Sequence, residues 1–345
     1  MINKKEAAAS ISVQDLIRVC NKVDQEIRDE FGSVFAQKRT YEKAAAYTDA
    51  LANHLLPVKT SWSTGEYSGY ENPGPIQSLI GENKWDADEL QNRTGVKAGK
   101  EFGNIASDNP LGTGGIVDET GQGKRGKGTA GVSYQYAGFA GKVVNCTTWV
   151  VLSLVTPKTK TWISSRLFLP LKTWFTGDGE TGAERRRNAG VPDDIVFATK
   201  PKMARQQFQD ARDLGIKFDW AGGDEVYGRY AELRADHEKN NEAYAYFVPR
   251  NHVVKTLGRE DRRVDKLLEL DQVEFETRTA GPGVNGPRYY EWGLIGVESP
   301  RHFLLIRKPV SAEQEKQGEK HQEEHLESDA GEPCPAESDA GRRIR

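Results

Sequence analysis

Residues 115–157, GIVDETGQGKRGKGTAGVSYQYAGFAGKVVNCTTWVVLSLVTP, carry the clearest pattern of strands in the chain. This stretch contains three segments rich in β-branched and aromatic residues, which favour strands, at residues 115–119, 132–141 and 142–157. The continuous apolar centre of the third segment is typical of a strand that is buried on both faces. Glycines separate the segments and mark turns, so the stretch predicts a set of strands joined by hairpins.

Helices and strands alternate after this stretch. TWISSRLFLP, residues 161–170, is a further candidate extended segment, and helical patterns cover residues 182–189 and 202–214. A strand ending at Asp224, a helix from about Tyr227 and a strand at residues 244–248 follow. Strands first, then alternating helices and strands, predict an α/β protein: a ribonuclease H-like mixed sheet with flanking helices.

The segments on either side of this core have a different character. Ser12 can cap a helix over residues 13–31, a second helix is predicted over residues 41–56, residues 61–74 read as a loop, and PIQSLIGENKWDADEL predicts two short helices broken near Gly81. We therefore divide the chain into a helical N-terminal region at residues 1–100, a ribonuclease H-like core at 111–250, a β-rich insertion at 251–310 and a disordered acidic tail at 311–345.

Composition excludes several classes of protein. The chain is 37% hydrophobic and 29% charged, which suits a globular protein, and no apolar run approaches the ~18 residues of a membrane span. Three widely spaced cysteines argue against a disulfide framework, and the N-terminus lacks a signal sequence, so we expect a cytoplasmic protein. The tail holds ten acidic and five basic residues, which leaves the rest nearly neutral; charge alone neither favours nor excludes nucleic acid.

Two aspartates stand out because of their position. Asp118 lies at the predicted end of the first strand, and Asp224 lies at the end of a strand expected to be its neighbour in the sheet. Two carboxylates at adjoining strand ends can hold Mg²⁺, and paired ions can stabilise the attacking and leaving oxygens when a phosphodiester is broken. The alternative is that each carboxylate caps a helix or a turn, which is the commoner role for any single strand-end aspartate.

Several blocks of the sequence, in the same order, resemble the DDE-type insertion-sequence transposases, specifically the insertion sequence 701 branch. The blocks are IVDETGQGKRGKGTAGVSYQYAGFAGKVVNC, RLFLP, ERRRNAGVPDDIVFATKP, WAGGDEVYG and GPRYYEWG, and the resemblance covers roughly residues 60–310. It implies that Asp118 and Asp224 are catalytic metal ligands for Mg²⁺ or Mn²⁺. Glu119 and Glu225 rank second, because strand alternation should point them to the other face. It also implies DNA partners, namely terminal inverted repeats and target DNA, and it allows a homodimer.

The sequence departs from that family at its third acidic residue, a Glu in a Trp-x-x-Glu type block beyond the segment matching YYEWG. Here HFLLIRKP is followed by the acidic tail, and Glu323, Glu324 and Glu327 lie in low-complexity sequence, so we do not assign them this role. We therefore expect a truncated or frameshifted copy. The alternative function is a remnant that binds DNA or full-length partners but does not cut.

The run GQGKRGKG, residues 121–128, has three interpretations, of which two remain open. Lys124, Arg125 and Lys127 could contact DNA phosphates, or the run is simply a basic hairpin turn. A third interpretation, the phosphate loop of a nucleotide hydrolase, fails because Gly128 replaces the required Ser or Thr and a strand is predicted to follow. The clusters ERRR at 184–187 and REDRR at 259–263 are interpreted as solvated surfaces. A zinc site at His321 and His325 is rejected, because Gln322 replaces the catalytic Glu of that motif.

Overall fold

The computed structural model describes residues 12–106, 109–177, 181–258, 260–267, 273–283, 286–297 and 301–310. The chain divides into two compact units, Met1–Phe247 and Val248–Arg345. The predicted disordered tail, with Glu323, Glu324, Glu327, His321 and His325, lies outside the described residues. None of the described helices combines the length and apolar character that crossing a bilayer requires.

The first unit opens with five helices: α1 Val13–Phe31, α2 Lys38–Ala52, α3 Ser61–Tyr67, α4 Gly74–Gly81 and α5 Ala87–Ala106. The predicted first helix is confirmed, and the Ser12 side chain caps it by accepting a hydrogen bond from the Asp15 amide. Its apolar residues Val19, Val23 and Ile27 nevertheless remain exposed. Helical spacing therefore predicted the helix correctly but says nothing about whether that face is buried.

The loop predicted for residues 61–74 is wrong over its first half, where α3 forms. Thr60 and Ser63 make a capping box, each side chain accepting a hydrogen bond from the other residue's backbone amide. Thr64 and Gly65 are buried within this helix. Tertiary packing and a good cap thus outweigh the weak helix propensity of the Ser, Thr and Gly residues.

A six-stranded mixed sheet forms the centre of the first unit. Its strands are β1 Gly114–Gly123, β2 Ser133–Ala137, β3 Lys142–Val155, β4 Lys160–Leu167, β5 Trp220–Gly223 and β6 Ala243–Tyr246. β1 pairs antiparallel with β3 and parallel with β5, and β5 pairs parallel with β6. The first half of β3 pairs with β2 and its second half with β4. The path β4-β3-β1-β5-β6 is consistent with the expected ribonuclease H-like fold.

Helices cover one face of this sheet. They are α5, α7 Lys200–Asp213, α8 Glu225–Gly228 and α9 Ala231–Lys239, each of which contributes to the main core. α6 Gly182–Asn188 packs at a separate apolar cluster that contains Trp174. Val117, Leu152 and Phe208 meet in the main core. Gln207 of α7 is buried there and donates hydrogen bonds to the Val150 carbonyl and the Ser164 hydroxyl, which joins α7 to β3 and β4. The helical layer therefore fixes the side of the sheet on which Val117 lies.

The second unit is built mainly from strands. Its elements are β7 Val253–Lys255, β8 Asp261–Arg263, α10 Val264–Leu267, β9 Phe275–Gly283, β10 Gly286–Val297 and β11 His302–Pro309. β10 is the central strand of an antiparallel three-stranded sheet, between β11 and β9. Val254, Leu267, Val297, Leu304 and Ile306 form a core of its own. These strands lie within residues 251–310, the range predicted to be rich in β structure.

Candidate active site

The two candidate aspartates occupy neighbouring positions, each one residue beyond the last pair of the β1–β5 ladder. In the parallel ladder of β1 and β5, Val117 pairs with Gly223, and this is the last pair. The next residues along the two strands are Asp118 and Asp224. Neighbouring strands lie about 4.8 Å apart. The sheet register therefore brings together two residues that are more than a hundred positions apart in the chain.

Asp118 does not end its strand, which corrects the prediction that β1 stops at residue 119. β1 continues to Gly123, because β3 pairs with it over its whole length, with Asp118 opposite Val151 and Gly123 opposite Cys146. What ends beside Asp118 is β5, whose last residue is Gly223. Asp118 is thus within the β1–β3 ladder and one residue beyond the last pair of the β1–β5 ladder, and its side chain is exposed.

Asp118 and Asp224 belong to the same face of the sheet. A Cβ built on Gly222 would lie 3.0 Å from Cδ1 of Ile116, so positions 116 and 222 share a face. Asp224 has an extended backbone, with φ −77° and ψ −174°, so alternation continues through it. Positions 118 and 224, each two residues further on, return to that same face, opposite the core residue Val117.

Both aspartates also make local hydrogen bonds. Oδ1 of Asp224 accepts a hydrogen bond from the Val226 amide at 2.8 Å and caps α8, and Oδ1 of Asp118 accepts one from the Glu119 amide at 2.7 Å. The capping alternative is therefore confirmed for Asp224, although a carboxylate has capacity beyond one bond. Within the part of the chain that the structure describes, no Lys, Arg or His forms an ion pair with either aspartate. Two neighbouring negative charges without a protein cation are suited to a bound metal ion.

Glu119 is engaged on the opposite face. The Tyr227 hydroxyl donates a hydrogen bond to its Oε1 at 3.1 Å, and Nζ of Lys200 lies 3.0 Å from its Oε2. Both carboxylate oxygens thus have a protein partner, which makes Glu119 a poor candidate for a metal ligand. Glu225 is exposed in the first turn of α8.

Tyr227 is fully buried beneath this group of carboxylates. Burial raises the pKa of Tyr227 far above its usual range, and the charges of Glu119, Asp224 and Asp118, with the hydrogen bond to Glu119, raise it further. The phenol therefore stays protonated and acts as a donor. The next residue, Gly228, has no room for a side chain, because a Cβ there would lie 2.0 Å from the Phe247 carbonyl oxygen. Sequence reasoning assigned no role to Tyr227 or Lys200; the Asp-x-x-Tyr-Gly spacing was the one signal for Tyr227.

The donor set fits magnesium only in part. Mg²⁺ is typically bound by one or two carboxylates together with waters and substrate phosphates, which Asp118 and Asp224 satisfy. Over the described ranges, no group of three or more His, Cys, Asp or Glu side chains is arranged to hold a metal ion. The third acidic ligand that the family resemblance requires is thus not found among those residues.

The basic run lies further along β1. Lys124 directly follows the strand, Arg125 and Lys127 are exposed in the turn, and β2 comes next. A strand after the run rules out the phosphate-loop arrangement, which needs the amino end of a helix. The three basic residues are therefore six to nine positions beyond Asp118 on the same strand and turn.

One comparison with known proteins bears on these residues. A family model described as DDE superfamily endonuclease matches residues 66–263, more than half of the chain. The matched range includes the whole six-stranded sheet and both Asp118 and Asp224. No curated protein matches the chain.

Proposed function

The chain belongs to the DDE superfamily endonucleases, and from that premise we propose that it is the transposase of an insertion sequence of the 701 branch. Its reaction would be metal-dependent cleavage of the element's DNA ends and their transfer to target DNA. The branch rests on the ordered blocks around IVDETG, WAGGDEVYG and YYEWG. The partners implied are the terminal inverted repeats, target DNA and a second copy of the chain.

The register of β1 and β5 is the observation that carries this proposal. It makes Asp118 and Asp224 neighbours on one face, with no described cation paired to either. Glu119, the adjacent acid, faces the other way and already binds Tyr227 and Lys200. Two carboxylates are therefore available on one face of the sheet, while Glu119 joins β1 to α7 and α8 on the other face.

Asp118 and Asp224 would hold the divalent ions, Mg²⁺ or Mn²⁺, that nucleases of this superfamily generally use. Bound there, the ions would supply electrostatic stabilisation of the attacking and leaving oxygens. In the first step water adds to phosphorus and the bond to the 3′ oxygen breaks, which leaves a 3′-hydroxyl and a 5′-phosphate. In the second step that 3′-hydroxyl attacks a target phosphodiester, so one phosphodiester forms as another breaks. No residue of the chain becomes covalently attached to DNA.

The competing function is a chain that binds DNA but does not cut it. It is favoured by one observation, that the described residues contain no third acidic ligand near Asp118 and Asp224. Magnesium sites can be completed by substrate phosphates, so two carboxylates do not decide the matter.

A nicking assay separates the two functions. Purified protein is incubated with Mg²⁺ and DNA that carries the element's terminal inverted repeats, and 3′-hydroxyl ends are counted. We expect wild-type nicking, with a loss of at least about 100-fold in Asp118→Asn and Asp224→Asn while DNA binding in EDTA is retained. Wild-type protein that binds the ends without nicking them would establish the non-cutting function.

Glu225→Gln is the matched control, because Glu225 is the acid next to Asp224 and is exposed. We expect its nicking rate to stay within about twofold of wild type. Nicking that survives Asp224→Asn, or that is lost equally in Glu225→Gln, would contradict the assignment of Asp224.

A further inference from the structure

The basic turn that follows β1 is joined to a second basic segment, the helix α6. Nη2 of Arg185 in α6 donates a hydrogen bond to the Lys127 carbonyl oxygen at 3.2 Å. The two segments are more than fifty residues apart in the chain, and each alone reads as an ordinary solvated charge cluster. Together Lys124, Arg125, Lys127, Arg185 and Arg187 form one surface, which we call the basic surface.

The turn half of the basic surface has a defined backbone. The Asn145 side-chain amide donates hydrogen bonds to the carbonyl oxygens of Lys124 at 2.8 Å and Gly126 at 2.9 Å. The Lys124 amide in turn donates to the Asn145 carbonyl at 2.8 Å. Because Asn145 donates hydrogen bonds to these carbonyl groups, the turn is held in one conformation. Its charged side chains are not needed to stabilise it.

The helix half rests on a small apolar cluster. Trp174 is fully buried, and its Nε1 donates a hydrogen bond to the Val132 carbonyl at 3.1 Å. The Arg185 guanidinium lies 4.7 Å over the Trp174 ring, and the Arg186 guanidinium lies 4.7 Å over Phe175 and donates to the Trp174 carbonyl at 2.7 Å. Arg185 and Arg186 are thus fixed by packing, while Arg187 on the same helix is exposed.

The positive charge of the basic surface is largely unneutralised. In the ranges that the structure covers, none of its five residues forms an ion pair with a carboxylate. Glu184 is the nearby acid on α6, and it accepts hydrogen bonds from the Thr181 hydroxyl and amide in a capping box. The hydrogen bonds from Thr181 are the main cause that lowers the pKa of Glu184, and the charge of Arg187 lowers it further. Glu184 therefore stays ionised and offsets one of the positive charges. A surface with a strong positive excess and a rigid backbone is suited to a polyanion.

The position of the basic surface relative to Asp118 favours DNA over other polyanions. Lys124 is six residues beyond Asp118 on an extended strand, a distance of about 20 Å at ~3.3 Å per residue. Between them Thr120 and Gln122 share the face of Asp118, and a shallow cleft of about 290 Å³ that they help to line includes Trp149 and Trp162. No acidic side chain lies on this face of β1 between the two sites, since Glu119 points to the other face.

We propose that the basic surface holds the DNA backbone about six nucleotides away from the phosphodiester that is cut at Asp118 and Asp224. The spacing follows from an axial rise of ~3.4 Å per nucleotide of a duplex strand. This inference rests on the proposed function for the identity of the cut site. The binding contribution of the basic surface can be measured without metal or cleavage.

The test measures the salt dependence of DNA binding. The dissociation constant for a fluorescein-labelled 30-base-pair duplex of arbitrary sequence is measured by anisotropy in EDTA, from 50 to 300 mM KCl. The variant is Arg125→Ala, Lys127→Ala and Arg187→Ala combined, which spares Arg185 and its stacking on Trp174. Each phosphate contact contributes about 0.9 to the slope of log K against log salt. We expect the slope to fall by about 2 to 3 and affinity at 100 mM KCl to fall at least about tenfold.

The matched control removes the same number of exposed positive charges elsewhere, in Lys202→Ala, Lys217→Ala and Lys239→Ala combined. We expect the control slope to change by less than about 1. Equal losses in both triple variants, or an unchanged slope in the basic-surface variant, would overturn the proposal. Circular dichroism of both variants should match wild type. A wild type that binds the duplex through the basic surface but does not nick in Mg²⁺ would leave DNA binding by this surface standing, and would remove the proposed function together with the six-nucleotide spacing to a cut site.

Discussion

The hydroxyl of Tyr227 donates a hydrogen bond of 3.1 Å to Oε1 of Glu119. Glu119 directly follows Asp118, and Tyr227 lies three residues after Asp224. The bond joins β1 to α8 just beyond the point where the β1–β5 ladder ends. Lys200 completes the arrangement through its ion pair with Glu119. Asp118 and Asp224 are therefore held on a framework that is fixed from the buried side of the sheet.

Removing the hydroxyl in Tyr227→Phe should loosen this framework. We expect the free energy of unfolding to fall by about 1 kcal/mol, because the Glu119 oxygen loses its donor in a half-buried place. The Mg²⁺ concentration for half-maximal nicking should rise severalfold. Urea titration and a nicking assay across Mg²⁺ concentrations measure the two effects. Tyr134→Phe is the control, since Tyr134 is 74% exposed, and it should leave both values unchanged.

The Glu119–Lys200 pair should be coupled energetically. Its side chains are 23% and 22% exposed, so the pair is less screened than a surface one. In a double-mutant cycle with Glu119→Gln and Lys200→Met, we expect a coupling energy on the order of 1 kcal/mol from urea unfolding. The same cycle on Lys22 and Glu26, a well-exposed pair on α1, should give a value near zero. Additive effects at Glu119 and Lys200 would mean that the ion pair does not stabilise the site.

Gly228 should not tolerate a side chain. A Cβ there would lie 2.0 Å from the Phe247 carbonyl oxygen, and backbone cannot move aside as a flexible side chain can. We expect Gly228→Ala to lower the free energy of unfolding by roughly 2 kcal/mol or more. Gly126→Ala, where a Cβ would meet nothing within 4 Å, should change stability by less than about 1 kcal/mol in either direction. Equal thermal denaturation midpoints for the two variants would contradict the close approach of α8 and β6.

Stability should depend on pH through Glu242. Burial opposes its ionisation, but hydrogen bonds from Arg212 and His237 outweigh burial and hold the pKa of Glu242 below its usual 4.5. A carboxyl whose pKa is lower in the folded state stabilises the fold above the unfolded pKa, and this contribution is lost as pH falls through the folded value. We expect the urea midpoint to fall between pH 6 and pH 3.

Glu242→Gln should lower the urea midpoint at pH 6, and the midpoint of this variant should change less than that of wild type between pH 6 and pH 3. Arg212→Gln provides a second variant, because Arg212 donates to both Glu242 oxygens at 2.7 Å. A Glu242→Gln protein with the same acid dependence as wild type would show that other carboxylates cause the loss.

Much of the secondary structure was predictable because its causes are local. Ser12 caps α1 and apolar β-branched residues form β3, as predicted, and β5 ends at Gly223, one residue before the predicted strand end at Asp224. The wrong predictions fall where the local sequence favours a structure other than the one that forms. α3 was missed because Ser, Thr and Gly favour turns, and β1 was predicted too short because its second half contains two glycines, Gly121 and Gly123.

Local sequence patterns predict most of the elements, their order and the position of the two candidate aspartates, because propensity, capping and alternation act over a few residues. Which residues meet becomes visible only in the folded chain: Val117 pairs with Gly223, Tyr227 donates to Glu119, and Arg185 donates to the turn at Lys127. Each of these contacts joins segments more than fifty residues apart. Their geometry depends on the register and packing of the whole sheet, which no local pattern of residues specifies.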